Sequence, residues 1–197
     1  MTWITRGVPP MLLRQVEGEM DGSDRATAIV GGAFVEDHLT QALKSKMVND
    51  EKLIQEMFSP SCALGDFGTK IHFGYLIGAY SKQAHKELNT VKRIRNNFAH
   101  QLQLNTFERN DIRDSCHNLI LSQCKIVKAI RGDDGYSVVL TLGEPKKERE
   151  EEIPFSGFAF KTCPPSPRDR FATACKFYIA AFAILTSHSH SIPEPLF

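Results

Sequence analysis

Between Leu88 and Leu102 the apolar residues Leu88, Val91, Ile94, Phe98, Ala99 and Leu102 recur at three- and four-residue intervals, the spacing of one face of an α-helix. At about 100° per residue they fall on a single arc, and Arg95 projects near its middle, between the directions of Val91 and Leu88. A guanidinium on a core-facing stripe demands a partner, because an unpaired buried charge is costly. The pattern thus sets two expectations: a central helix over 84–99, and a carboxylate, a carbonyl cluster or an anion that meets Arg95.

The carboxylates are expected from a helix over about 24–47, capped by Ser23 or Asp24. Its Ala26, Ile29, Val30, Ala33, Phe34, Leu43 and Met47 share an arc, and Glu36 and Asp37 project into it. The spacing therefore predicts that this helix packs on the 84–99 helix, with Glu36 or Asp37 forming a structural ion pair with Arg95, ideally bidentate.

The other signals are mostly helical. Pro9-Pro10 precedes a short amphipathic helix from Met11 that ends near Gly18 or Gly22, within an N-terminal arm over 1–22 that Trp3 can anchor. Asn49 or Asp50 starts a short helix through Met57, and Asp66 to Tyr80 reads as another, with His72 as an exposed or satisfied histidine. A helix over about 110–130 follows, with Ile112, Cys116, Leu119, Ile120, Cys124, Val127 and Ile130 as its stripe. Gly132-Asp133-Asp134-Gly135 is a turn signal, Tyr136–Leu142 reads as a strand, and 153–160 is expected to return beside it. Ser166 and Pro167 open a last helix, apolar on most sides. The expected architecture is all-α: a bundle of about six or seven helices in one domain over 23–190, with a small β-hairpin inserted at about 131–163 and a tail over 191–197.

Composition narrows the function classes. Lys and Arg total 24 against 23 Asp and Glu, so a basic surface built to coat nucleic acid is not indicated. The cysteines, Cys62, Cys116, Cys124, Cys163 and Cys175, are odd in number and form no C-x-x-C. They read as reduced thiols of a cytoplasmic protein, Cys116 and Cys124 as core positions, and no metal or cofactor site is expected. The Ser187-His188-Ser189-His190 tail reads as a frayed end rather than a metal site. The longest apolar run, Phe177 to Leu185, is nine residues, against about 20 for a membrane span. No N-terminal stretch has the apolar core of a signal peptide, so a soluble, cytoplasmic protein is expected.

Arg95, Asn96 and His100 also spell Arg-x-x-x-x-His with a polar residue after the arginine. This resembles the motif of HEPN-type helical domains, many of them metal-independent ribonucleases. The resemblance implies that Arg95 would stabilise phosphorane charge, His100 would move a proton during attack by a ribose 2′-hydroxyl, and Asn96 would orient one of them. Five positions on one helix put Arg95 and His100 about 140° apart, so they converge only if the helix ends near Ala99 or a second subunit contributes, as in HEPN-type dimers.

A second resemblance spans more of the chain. Asp24-Arg25-Ala26-x-Ala28-Ile29-Val30-Gly31, Leu64-Gly65-x-Phe67-x-x-Lys70-Ile71, Ile94-Arg95-Asn96-x-Phe98-Ala99-His100, Ile112-Arg113-Asp114-x-Cys116 and Pro167-Arg168-x-Arg170-Phe171 resemble, in order and rough spacing, the mannitol operon repressor family of bacterial proteins. The likeness covers about 23–130 and resumes near 166. It implies a helical bundle that regulates transcription. No helix-turn-helix signature is present, and near-neutral charge argues against direct DNA binding. The expectation is a regulator that acts as a homodimer through a protein partner or a small-molecule effector. The alternative is an RNA-cleaving or RNA-binding domain using Arg95 and His100.

Overall fold

Side-chain caps set where the helices begin. In the computed structural model, which describes residues 2–6, 10–101, 106–119, 125–132, 135–141 and 166–187, the Ser23 hydroxyl accepts from the Ala26 amide and opens α2 (Asp24–Lys44), which follows α1 (Pro10–Met20). Asp50 accepts from the Leu53 amide at the start of α3 (Glu51–Met57), and Asp66 from the Gly68 and Thr69 amides at the start of α4 (Phe67–Leu76). Ser81 does the same for α5 (Lys82–His100). α6 (Asn110–His117) has no side-chain cap, whereas Ser166 accepts from the Asp169 amide at 3.1 Å on α7 (Pro167–Ser187). Each such cap contributes about 1 kcal/mol by satisfying an amide that the helix leaves orphaned.

The described chain is mostly helical, and α2 is its hub, packed against α7, α5, α1 and α4. It buries Ala28, Gly31, Gly32, Val35, Leu39 and Ala42, while Ala33 and Asp37 are exposed. This corrects the arc expected from Ala26 to Met47. α2 is apolar around most of its circumference, so periodicity alone does not select a face; the two adjacent glycines do. A Cβ on Gly31 would stand 3.2 Å from Cys175 Sγ of α7, and one on Gly32 would stand 2.6 Å from Arg95 Cγ and 2.8 Å from Arg95 Cβ of α5. Two helices thus approach the same turn of α2 where no side chain intervenes.

On α5 the stripe lies where its spacing puts it: Leu88, Val91, Ile94 and Phe98 are buried. The Phe98 ring lies 4.9 Å from that of Phe107 and tilted to it, and Phe107 lies 5.4 Å from Phe171 of α7. Burying one such ring is worth about 1.5–3 kcal/mol.

Three boundaries differ from expectation. α4 ends at Leu76 rather than Tyr80, because Gly78 turns left-handed at φ 74°. The Gly78 amide then bonds the Tyr75 carbonyl and the Ala79 amide the Gly74 carbonyl, a Schellman closure that ends the helix. α2 stops at Lys44 instead of 47. The helix expected over 110–130 stops at His117, with Asn118 as its C-cap, and the chain is extended again from Lys125. The β-branched Ile126, Val127 and Ile130 favour a pleated strand over a helix continued from 117.

That strand, β2 (Lys125–Gly132), runs antiparallel to β3 (Gly135–Thr141), and β3 pairs on its other edge with β1 (Thr2–Arg6). The order is β1-β3-β2. The return strand expected over 153–160 lies outside the described residues, as does the tail over 188–197.

The close seam at Gly32 yields a stability test. Gly32→Ala forces Arg95 or the backbone of α5 outward and should cost about 1–3 kcal/mol, lowering the melting temperature by several degrees. Gly18→Ala on α1, with nothing within 4 Å of the new methyl, should leave it unchanged or raise it by removing a helical glycine. Thermal unfolding followed by circular dichroism compares the two.

Candidate functional site

α5 is continuous from Lys82 to His100, so the two motif residues leave it in different directions. Arg95 is half-buried, its aliphatic stem lying on Gly32. Its Nε is shielded from solvent and has no hydrogen-bond partner, and its Nη1 donates to Asn96 Oδ1 at 3.0 Å. His100, the last helical residue, is exposed. No hydrogen bond joins Arg95 to His100 among the described residues. Asn96 meets Arg95, as one role implied for it requires; His100 stands apart.

The end of α5 is fixed by another arginine. Arg25 of α2 donates from Nη2 to the Ala99 carbonyl at 3.2 Å and from Nη1 to the Gln101 carbonyl at 3.3 Å. A cation with two donors at a helix C-terminus satisfies orphan carbonyls and complements the macrodipole.

The expected ion pair between Arg95 and Glu36 or Asp37 is not formed. Glu36 Oε1 accepts from Lys70 Nζ of α4 at 2.8 Å, and the exposed Asp37 accepts from Gln41 at 2.7 Å. Because Gly32 and Val35 face the core, Asp37 turns to solvent and Glu36 towards α4. Lys70 is buried and is the cation that cannot do without a counter-charge. Sequence reasoning passed over it, although Lys70 stands at helical spacing from Phe67 and Gly74, both buried, and that placed a cation on a core-facing arc just as for Arg95.

Three further arginines are engaged within the fold. Arg93 Nη2 donates to Ser115 Oγ of α6 at 2.9 Å. Arg168 Nη2 donates to the Gly22 carbonyl at 2.7 Å, and Arg109 pairs with Asp111 at 2.6 Å. The hydrogen bond to Asp111 pushes the Arg109 pKa up, and the same bond holds the Asp111 carboxyl below its usual range.

Two thiols are core residues. Cys116 and Cys175 are fully buried, and burial pushes the Cys116 thiol up to about 12 and raises Cys175 further. Neither is a ready nucleophile. Cys124 lies outside the described residues.

Near the start of α5, His85 Nε2 lies 2.8 Å from His72 Nδ1 of α4, and the Tyr75 ring lies 4.8 Å from the His85 ring. Partial burial, and to a lesser degree the charge of His72, hold the His85 pKa below the ordinary imidazole value. No local pattern signals that the two rings meet, since contact depends on how the turn after Leu76 aims α5. Among the described residues no group of three or more His, Cys, Asp or Glu gathers to hold a metal ion, and no described helix is long and apolar enough to cross a membrane.

No family model, no curated protein and no solved structure matches the chain.

Two outcomes follow from this geometry. Arg95→Met keeps the stem on Gly32 and removes a buried orphan nitrogen, so its stability should stay within about 1 kcal/mol of wild type; Arg95→Ala, which deletes the stem, should cost about 2 kcal/mol. Denaturant melts separate the two variants. In an NMR pH titration His85 should charge below the usual imidazole midpoint and move part of the way back in His72→Ala. Because the unfolded chain binds that proton more readily, the increment of stability from neutral His85 is present above its unfolded pKa and lost as pH falls through the folded one.

Proposed function

We propose that the chain is a regulator of the mannitol operon repressor type that acts through a protein partner rather than by gripping an operator. The observation that carries the reading is the exposure of large apolar side chains on α3, just before it and at the end of α4. Leu76 is 79% exposed, Val48 64%, Leu53 54% and Ile77 45%, and α3 buries no residue at all. Val48 follows Met47 and Leu76 precedes Ile77, and Met47 and Ile77 line one cleft, so exposed apolar side chains border each other there, as at protein-interaction sites. An open cleft of about 360 Å³, lined by Met47, Phe73, Ile77 and Leu185 among others, adjoins Ile77. The engagement of Arg25, Arg93, Arg109 and Arg168 within the fold supports a protein partner over a phosphate backbone. In this reading the chain works in the cytoplasm, as a homodimer, and takes no cofactor.

A second reading rests on one specific observation, the bond from Arg95 Nη1 to Asn96 Oδ1. That orientation suits a HEPN-type ribonuclease in which Arg95 of one subunit and His100 of another face a single RNA phosphate. Continuous α5 makes the second subunit a requirement.

One set of experiments decides between them. A pull-down from native extract should recover a protein that survives nuclease treatment, and Leu53→Asp with Leu76→Asp should abolish the capture without moving the melting temperature by more than about 2 °C. Loss of the partner on nuclease treatment, or capture indifferent to these substitutions, ends the regulatory reading. Cleavage of single-stranded RNA by the pure chain, abolished by Arg95→Met and by His100→Ala, would install the second.

A further inference from the structure

The two histidines that meet between α4 and α5 are an unusual pair. His72 is exposed, His85 is half-buried, and His72 Nδ1 stands 2.8 Å from His85 Nε2. Asn89 fixes the proton between them. Its amide nitrogen donates to the His85 carbonyl at 2.9 Å and lies 3.4 Å from His85 Nε2. An amide nitrogen only donates, so His85 Nε2 is the acceptor, and the shared proton belongs to His72 Nδ1. A lone pair on one helix thus faces a replaceable proton on another.

We propose that His72 and His85 form a binding site for a divalent transition-metal ion of borderline softness, such as Zn²⁺, Ni²⁺ or Cu²⁺, bridging α4 and α5. Imidazole nitrogen suits these ions. Two nitrogens at about 2.0–2.1 Å from a tetrahedral ion lie about 3.3 Å apart, so the pair needs to open by about half an ångström and each exposed or half-buried ring to turn until its lone pair meets the ion off the N–N line. On entry of the ion His72 carries its proton on Nε2 instead of Nδ1. Both lone pairs then face the metal, and no proton is lost. The corner that holds them is braced, because Tyr80 Oη donates to the Ile71 carbonyl at 2.6 Å and Gly78 closes α4. No third His, Cys, Asp or Glu joins among the described residues, and water can take the remaining positions. The proposal stands on this geometry and is independent of the regulatory reading.

The test uses the full chain carrying His188→Ala and His190→Ala, so that the histidine tail cannot answer for the site. Calorimetric titration with NiCl₂ and with ZnCl₂ should find one ion per chain. His72→Ala added to this background should bind at least tenfold more weakly, and its melting temperature without metal should equal that of the background. Saturating Ni²⁺ should raise the melting temperature of the background chain and not of the variant. Nitrogen-15 spectra with Zn²⁺ should show the His72 proton on Nε2. Should His72→Ala disturb folding, His72→Gln replaces it. Binding within threefold of the background by the folded variant, or no saturable binding by the background itself, overturns the proposal.

Discussion

The adjacent glycines of α2 are the constraint on which the rest of the fold depends. Cys175 of α7 approaches where a Cβ of Gly31 would stand, and Arg95 of α5 covers Gly32. A larger residue at Gly32 would displace the Arg95 stem, and one at Gly31 would press on Met20, Cys175 and Phe171, the last of which belongs to the ring cluster with Phe98 and Phe107. Backbone contact of this kind gains dispersion energy along a whole helical turn at the cost of glycine's low helix propensity.

The same seam explains Arg95. Its stem fills the hollow that Gly32 leaves, which is why a cation sits in the middle of an apolar stripe. The packing value lies in the methylenes, and the head is held by its own neighbour Asn96 rather than by an opposing carboxylate. The carboxylate of α2 instead neutralises Lys70, the more deeply buried of the two cations. Burial orders the demand for counter-charge: a cation that keeps part of its surface in water tolerates an incomplete shell, and one wrapped by α4 and its neighbours does not.

Much of the helical framework was legible in the residues, because caps and stripes are local. Ser23, Asp50, Ser166 and Pro167 mark helix starts through groups within three positions, and the stripe of Leu88, Val91, Ile94 and Phe98 needs only a regular helix. What escaped was non-local. The buried face of α2 is chosen by glycines, which carry no hydropathy signal, and its apolar circumference made the wrong arc equally plausible. The strand over 125–132 was hidden because its apolar residues continue the three- and four-residue spacing of α6. In the candidate site, Arg95 bonds its sequence neighbour Asn96. The engagement of Glu36 by Lys70 and the contact of His72 with His85 depend on interhelical angles that no local pattern encodes.

α3 differs from the other helices in having no residue inside. It is held at its ends, by the Asp50 cap, by the amide of Leu64 on the Met57 carbonyl and by Lys44 lying over Phe58 at 5.1 Å. Its outward residues Leu53 and Met57 therefore carry no obligation to the interior. Substitution there leaves the bundle as it is, so the outer face of α3 and the core are able to change at separate rates.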